Sequence, residues 1–223
     1  NTLLSYTRMI SNTLMTDVEK DTHINALKDL FASAKVIYEN NQISNIDLTQ
    51  ISEALTRSKA YRFGDYTANF SGVYVETDIN ESKLQKDITV KLKGLVGDYN
   101  LESEKGFGFA DCLRVDCYIV THNLVVEIDG PTHYDSDGRL NYASRQRQTL
   151  LEELGLKVER IKYDDWDNAS EIEQVNLLKD MLDNHEPTSI ISGFGIFKSS
   201  KTTRVDIALN KDTKESIAPS LRR

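Results

Sequence analysis

Apolar residues recur at intervals of three and four through the first sixty positions. Ile24, Leu27, Leu30, Phe31, Ala34, Ile37 and Tyr38 line one side of a helix over residues 21–40. Leu48, Ile51 and Leu55 continue the stripe in a shorter helix ending near Lys59, with Asp47 as its N-cap and Gln50 three residues on. An earlier helix over residues 2–15 completes a helical segment, residues 1–62. Residues 63–77, rich in aromatics and carrying Gly64 and Gly72, read as a connector with one short strand. Asn80 or Ser82 then starts a helix over residues 83–95, with Leu84, Ile88, Leu92 and Leu95 inward and Gly94 and Gly97 at its end.

The pattern then changes period. Residues 99–104 predict a first strand, and Gly106-Phe107-Gly108 a loop into a hairpin; the loop lacks the lysine and strand-to-helix setting of a phosphate cradle. Residues 111–120 and 124–129 are β-branched and apolar, separated by a turn at Thr121 to Leu124. A reversal centred between His122 and Asn123 places Asp116 opposite Asp129 and Tyr118 opposite Glu127. Alternation then puts Arg114, Asp116, Tyr118, Val125, Glu127 and Asp129 on one face, and Val115, Cys117, Ile119, Val126 and Ile128 on the other. Three carboxylates so crowded need a cation, a proton or a basic side chain. A divalent metal is one answer; the other is that Arg114 or a lysine from elsewhere neutralises the site, or that the register is off by one and the acids are solvated. Beyond an exposed loop at residues 135–139, residues 142–154 predict a helix, 157–161 a strand, and Ser170 with Glu173 a capping box for a last helix to about Asn184. Strand, hairpin, helix, strand and helix make an α/β sandwich with a mixed sheet flanked by helices.

Composition adds bounds. A chain of 223 residues, 39% hydrophobic and 28% charged, has ample length for a core, and no apolar run reaches the roughly 18–20 residues of a membrane span. No signal segment opens it, so an intracellular, soluble protein is expected. Asn1 in first place suggests a fragment of a longer chain or a processed one. Cys112 and Cys117, on opposite strand faces, are not disulfide partners, which fits a reducing interior.

Charge is uneven. Residues 61–183 hold fourteen basic and twenty-four acidic residues, net −10, whereas residues 184–223 hold seven and four, net +3. Phosphate attraction is therefore assigned to the tail, with Lys198, Lys201, Arg204, Lys211, Lys214, Arg222 and Arg223, although such a run is also what a solvated terminus looks like. Val205, Ile207 and Leu209 alternate there as a short strand.

The run Val126-Glu127-Ile128-Asp129-Gly130-Pro131-Thr132-His133-Tyr134, with Gly155-Leu156-Lys157-Val158 and Tyr163-Asp164-Asp165-Trp166 behind it, resembles the RAP domain, a family named for RNA-binding proteins abundant in apicomplexans. That family is similar in fold to the very-short-patch repair endonucleases of the PD-(D/E)xK nuclease class. The resemblance covers about residues 82–183 and implies a restriction-endonuclease-like domain at 63–184, with residues 185–223 as a basic tail. RAP domains often follow helical repeats, so residues 1–62 are either the last repeat of such an array or a helical cap on the core. Carried over from the nuclease class, Asp116 matches the first metal-binding aspartate and Glu127 the second acid, together holding Mg²⁺ or Mn²⁺. Asp129 stands where that class has lysine, a departure that leaves His133 or an arginine to supply the missing positive charge, or leaves the site weak or dead.

The remaining candidates have two readings each. His133 either acts on metal or phosphate or holds the Gly-Pro turn. Arg145 and Arg147 contact a scissile phosphate or lie on the surface. Trp166 stacks on a base or packs the last strand. Glu81 and Gln85 project to the carboxylates, or Glu81 serves the positive helix end. Two functions follow: a metal-dependent endonuclease acting on RNA, and a non-catalytic RNA-recognition module on the nuclease fold. A protein-interaction domain on the same scaffold is a third.

Overall fold

The computed structural model describes residues 2–187 except 12, 41, 42, 71 and 74–80. Three helices come first: α1 (Thr2–Ser11), α2 (Asp17–Glu39) and α3 (Asn45–Ala60). Thr16 caps α2 in a reciprocal box with Glu19, which starts the helix at Asp17, four residues before the expected start at residue 21. Ser44, not Asp47, caps α3; Asp47 is the third helical residue and reaches back to the cap's own N–H. Both residues are good caps, and only the backbone decides between them. Leu27, Phe31, Leu55 and Ala54 meet in a core that also takes Phe63 and Phe70 from the connector. Among the described residues the connector holds a helical turn at Thr67–Phe70, and the short strand expected within residues 63–77 falls partly on residues 71 and 74–77, which lie outside those described.

The α/β part begins with α4 (Lys83–Val96), capped by Ser82 and ended at Gly97. Strands β1 (Leu101–Phe107), β2 (Leu113–Ile119), β3 (Leu124–Asp129) and β4 (Lys157–Lys162) form a sheet in sequence order, antiparallel at the first two junctions and parallel at the last. Helix α5 (Tyr142–Glu153) makes the crossover from β3 to β4, while a short α6 (Tyr163–Asp167) and α7 (Glu171–Asp183) follow. β1 runs three residues further than its propensity suggests, because Gly106 and Phe107 pair with Arg114 and Leu113. Among the described residues the result is a mixed sheet with helices on both sides and a helical segment in front. No described helix is long and apolar enough to cross a membrane.

Each side of the sheet has its own core. Ile88 and Leu92 of α4, Cys117 and Ile119 of β2, Leu124 and Val126 of β3, Trp166, and Leu178 of α7 form one. Leu113, Val115, Val125, Leu150, Leu151 and Leu156 form the other. Val115 and Cys117 thus join different cores, so the strict alternation expected of β2 fails between them, at Asp116. The pairing of β1 with β2 skips the same place, where Glu104 of β1 has φ 52°, and the ladder between β2 and β3 covers only Cys117 to Ile119. Tyr118 pairs with Val125 rather than Glu127, because the turn occupies Val120–His122 and closes on Asn123 in the left-handed conformation. The register therefore differs by two residues from the expected one.

The helical segment is fastened to the α/β part through α3. Thr56 Oγ1 accepts the Phe109 N–H at 2.9 Å, and the fully buried Arg57 donates through Nη2 to the Gln146 carbonyl at 3.1 Å. Phe109 belongs to the loop between β1 and β2, and Gln146 to α5. Beyond α7, His185 Nε2 lies 2.8 Å from Glu159 Oε1. The basic run from Lys198 and the alternation at Val205, Ile207 and Leu209 lie outside the described residues.

Candidate functional site

Asp116 sits where the sheet loosens. Its Oδ2 accepts the Ile128 N–H at 2.7 Å, replacing a ladder bond that the strand itself does not make. Burial pushes its pKa from 3.8 up to about 7; the Ile128 N–H offsets part of that, and the negative charges of Glu127 and Glu104 add to it. Glu104 is in turn fixed by Gln85 of α4, whose Nε2 donates to its Oε1 at 2.5 Å. The acidic centre consists, electrostatically, of Asp116, Glu127 and Glu104.

The acids of β3 are held by arginines. Glu127 is nearly buried and meets Arg147 Nε of α5 at 3.0 Å, while Arg147 Nη2 donates to the Arg114 carbonyl. Asp129, 1% exposed, is gripped by Arg160 of β4: Nε donates to Oδ2 and Nη2 to Oδ1, both at 2.6 Å. The Tyr134 hydroxyl donates to Oδ2 at 2.9 Å, and burial with this bond to a carboxylate raises the tyrosine to about 12. His133 Nδ1 stands 3.5 Å from Asp129 Oδ1 and 3.1 Å from Ser144 Oγ at the start of α5. The α5 cap, Asn141, donates through Nδ2 to the Thr132 carbonyl, and its backbone N–H to the His133 carbonyl, both at 2.8 Å. His133 thus belongs to the brace between the Gly-Pro turn and α5.

The sequence-based expectation that Asp116, Glu127 and Asp129 converge on one cation does not hold. Asp129's oxygens are taken by Arg160 and Tyr134, and among the described residues no group of three or more His, Cys, Asp or Glu is placed to hold a metal ion. Of the two expected metal ligands, Glu127 already meets Arg147 Nε at 3.0 Å and Asp116 accepts the Ile128 N–H through Oδ2. Of the expected phosphate contacts, Arg147 is spent on Glu127, while Arg145, half exposed, donates to the Leu140 carbonyl at its own helix start. Trp166 is buried, with Nε1 donating to Asp87 at 3.0 Å, so it packs the core. Cys112 and Cys117 are free thiols, each beside a threonine hydroxyl.

Sequence reasoning missed Glu104 and Arg160. Glu104 carries no pattern signal, since a left-handed glutamate inside a strand is not readable from residue type. Arg160 had one: parallel pairing of β4 with β3 sets it directly beside Glu127.

Residues 126–181 match the RAP domain model. The match runs from β3 to α7 and so includes Glu127, Asp129, His133, Arg147 and Arg160, whereas Asp116 and Glu104 precede it. No curated protein matches the chain.

Proposed function

We propose that this chain is an RNA-recognition module built on a nuclease-like α/β fold, with the acidic centre serving structure rather than catalysis. The RAP domain match over residues 126–181 supports the RNA part of the reading. The observation that carries the non-catalytic part is the two-bond grip of Arg160 on Asp129. In the nuclease class that the sequence resembles, the position of Asp129 holds a lysine free to face phosphate. Here the same position holds an acid, and the positive charge arriving from β4 is consumed in neutralising it. A guanidinium engaged at 2.6 Å by both carboxylate oxygens has no fork left for a phosphate on that side.

Binding of a labelled single-stranded RNA, followed by anisotropy with EDTA and again with Mg²⁺ or Mn²⁺, tests the reading alongside a cleavage assay on the same RNA. Equal binding in both conditions and intact RNA are expected. Metal-dependent cleavage that disappears in Asp116→Asn and Glu127→Gln would overturn it. The metal-dependent endonuclease is the second reading, favoured by one observation: the raised Asp116, with Glu127 and Glu104 around it, is the kind of perturbed carboxyl group that catalytic centres contain. It requires Arg147 to leave Glu127.

A further inference from the structure

The net charge of −10 over residues 61–183 conceals a basic helix. Helix α4 carries Lys83, Lys86, Lys91 and Lys93 against a single acid, Asp87, while its neighbour α7 carries four acids against one lysine. Helical geometry puts Lys83, Lys86, Val90 and Lys93 on one side, opposite the buried Gln85, Ile88, Thr89 and Leu92. Lys83, Lys86 and Val90 are exposed and Lys93 is half-buried. Asp87 is occupied by Lys91 at 2.5 Å and by the Trp166 indole, so the one acid on the helix is already neutralised. Lys83, Lys86 and Lys93 form no ion pair among the described residues. Three residues past the helix, in the turn Asp98–Asn100, Tyr99 stands wholly in solvent, at 100% exposure.

A fully exposed tyrosine at the end of a row of lysines is what a nucleic-acid strand with unstacked bases recognises: ammonium groups track phosphates and the ring takes a base. The row is about 15 Å long, from ten residues at about 1.5 Å each, which suits a single strand better than a duplex face. We propose that the outer face of α4, with Tyr99 beyond its end, is the surface on which single-stranded RNA lies, its phosphates on Lys83, Lys86 and Lys93 and one base on Tyr99. The assignment rests on the RNA-recognition reading above and gives it a location away from the acidic centre.

The test is the salt dependence of binding a fluorescein-labelled oligouridylate by the full chain. Lys83→Gln/Lys86→Gln/Lys93→Gln should lower the slope of log K against log salt by about 2, from about 0.7 per phosphate contact on a single strand. Tyr99→Ala should weaken binding about tenfold and leave the slope unchanged. The control Lys20→Gln/Lys28→Gln/Lys35→Gln on α2 removes the same charge and should leave the slope as it was. Circular dichroism confirms that each variant is folded. An unaltered slope in the α4 triple variant, or an equal loss in the α2 control, overturns the assignment while leaving RNA recognition standing. An α4 variant that keeps RNA but loses binding to polyglutamate overturns it in favour of an acidic protein partner. A wild-type chain that does not bind the oligouridylate at all removes the RNA-recognition reading itself, and this surface with it.

Discussion

Arg160 pairs with Glu127 in the register of β3 and β4, yet its guanidinium reaches past that neighbour to clasp Asp129 two residues along. Asp129 itself pairs with Lys162, whose ammonium lies 5.1 Å over the Tyr134 ring instead. The diagonal choice takes the Asp129 carboxylate out of any cation site shared with Glu127 and Asp116.

The Arg160–Asp129 pair is buried, so removing one partner should cost far more than removing both. Arg160→Met and Asp129→Leu are each expected to destabilise the fold by about 3–5 kcal/mol, because each strands a buried charge. The double variant should recover most of the loss. Urea denaturation of the four proteins measures the coupling, and additive losses would show that the pair is not acting as a unit.

Asp116 gives stability a pH dependence of unusual sign. Its folded pKa, about 7, lies above the ordinary 3.8, so between those values the folded state holds a proton that the unfolded state has released. Stability from this group is complete below about pH 4 and declines by about 1.4 kcal/mol per pH unit until the folded pKa is passed. Asp116→Asn keeps an oxygen for the Ile128 N–H and removes the ionisation. It should therefore be more stable than wild type at pH 8 and indistinguishable from it near pH 4. Thermal melts across that range check both the sign and the window.

Gly108 is needed where it is. Its φ is 78°, and a Cβ there would stand 2.7 Å from Thr56 Oγ1, the atom that receives the Phe109 N–H. Gly108→Ala should lower stability by about 2 kcal/mol or more, from strain and displacement together. Thr56→Val, which leaves the N–H unsatisfied without the clash, should cost about 1–3 kcal/mol. Calorimetry of the two variants and their combination tells strain from the lost bond: the combination should be less than additive.

Much of the fold was readable because apolar spacing and caps are local. Ser82, Ser170 with Glu173, and the glycines after α4 and α5 mark helix ends within a residue or two. The hairpin slipped by two because Asn123 accepts a left-handed conformation and closes the turn one residue earlier than its centre of polarity suggests. A slip of two keeps side-chain parity along β3, and Asp116 still lies close enough to Glu127 to be raised by its charge. What could not be read was non-local. The break at Asp116 depends on the backbone of Glu104 in the neighbouring strand, and the fate of Asp129 depends on an arginine thirty-one residues away. The electrostatic total misled in a different way, since an average over residues 61–183 erased the lysine row of α4.

Arg57 joins the two ends of this architecture, and that has a consequence for how the molecule comes apart. Its side chain is sealed between α3 and α5, bound to Glu53 on its own helix and to the main chain of α5. Peeling the first three helices away would open a charged group and its carbonyl acceptor together, with Thr56 releasing the β1–β2 loop at the same moment. Partial opening between the helices and the sheet is thereby made costly, and amide protons in α3 and α5 should exchange with solvent at a common rate, as parts of one cooperative unit.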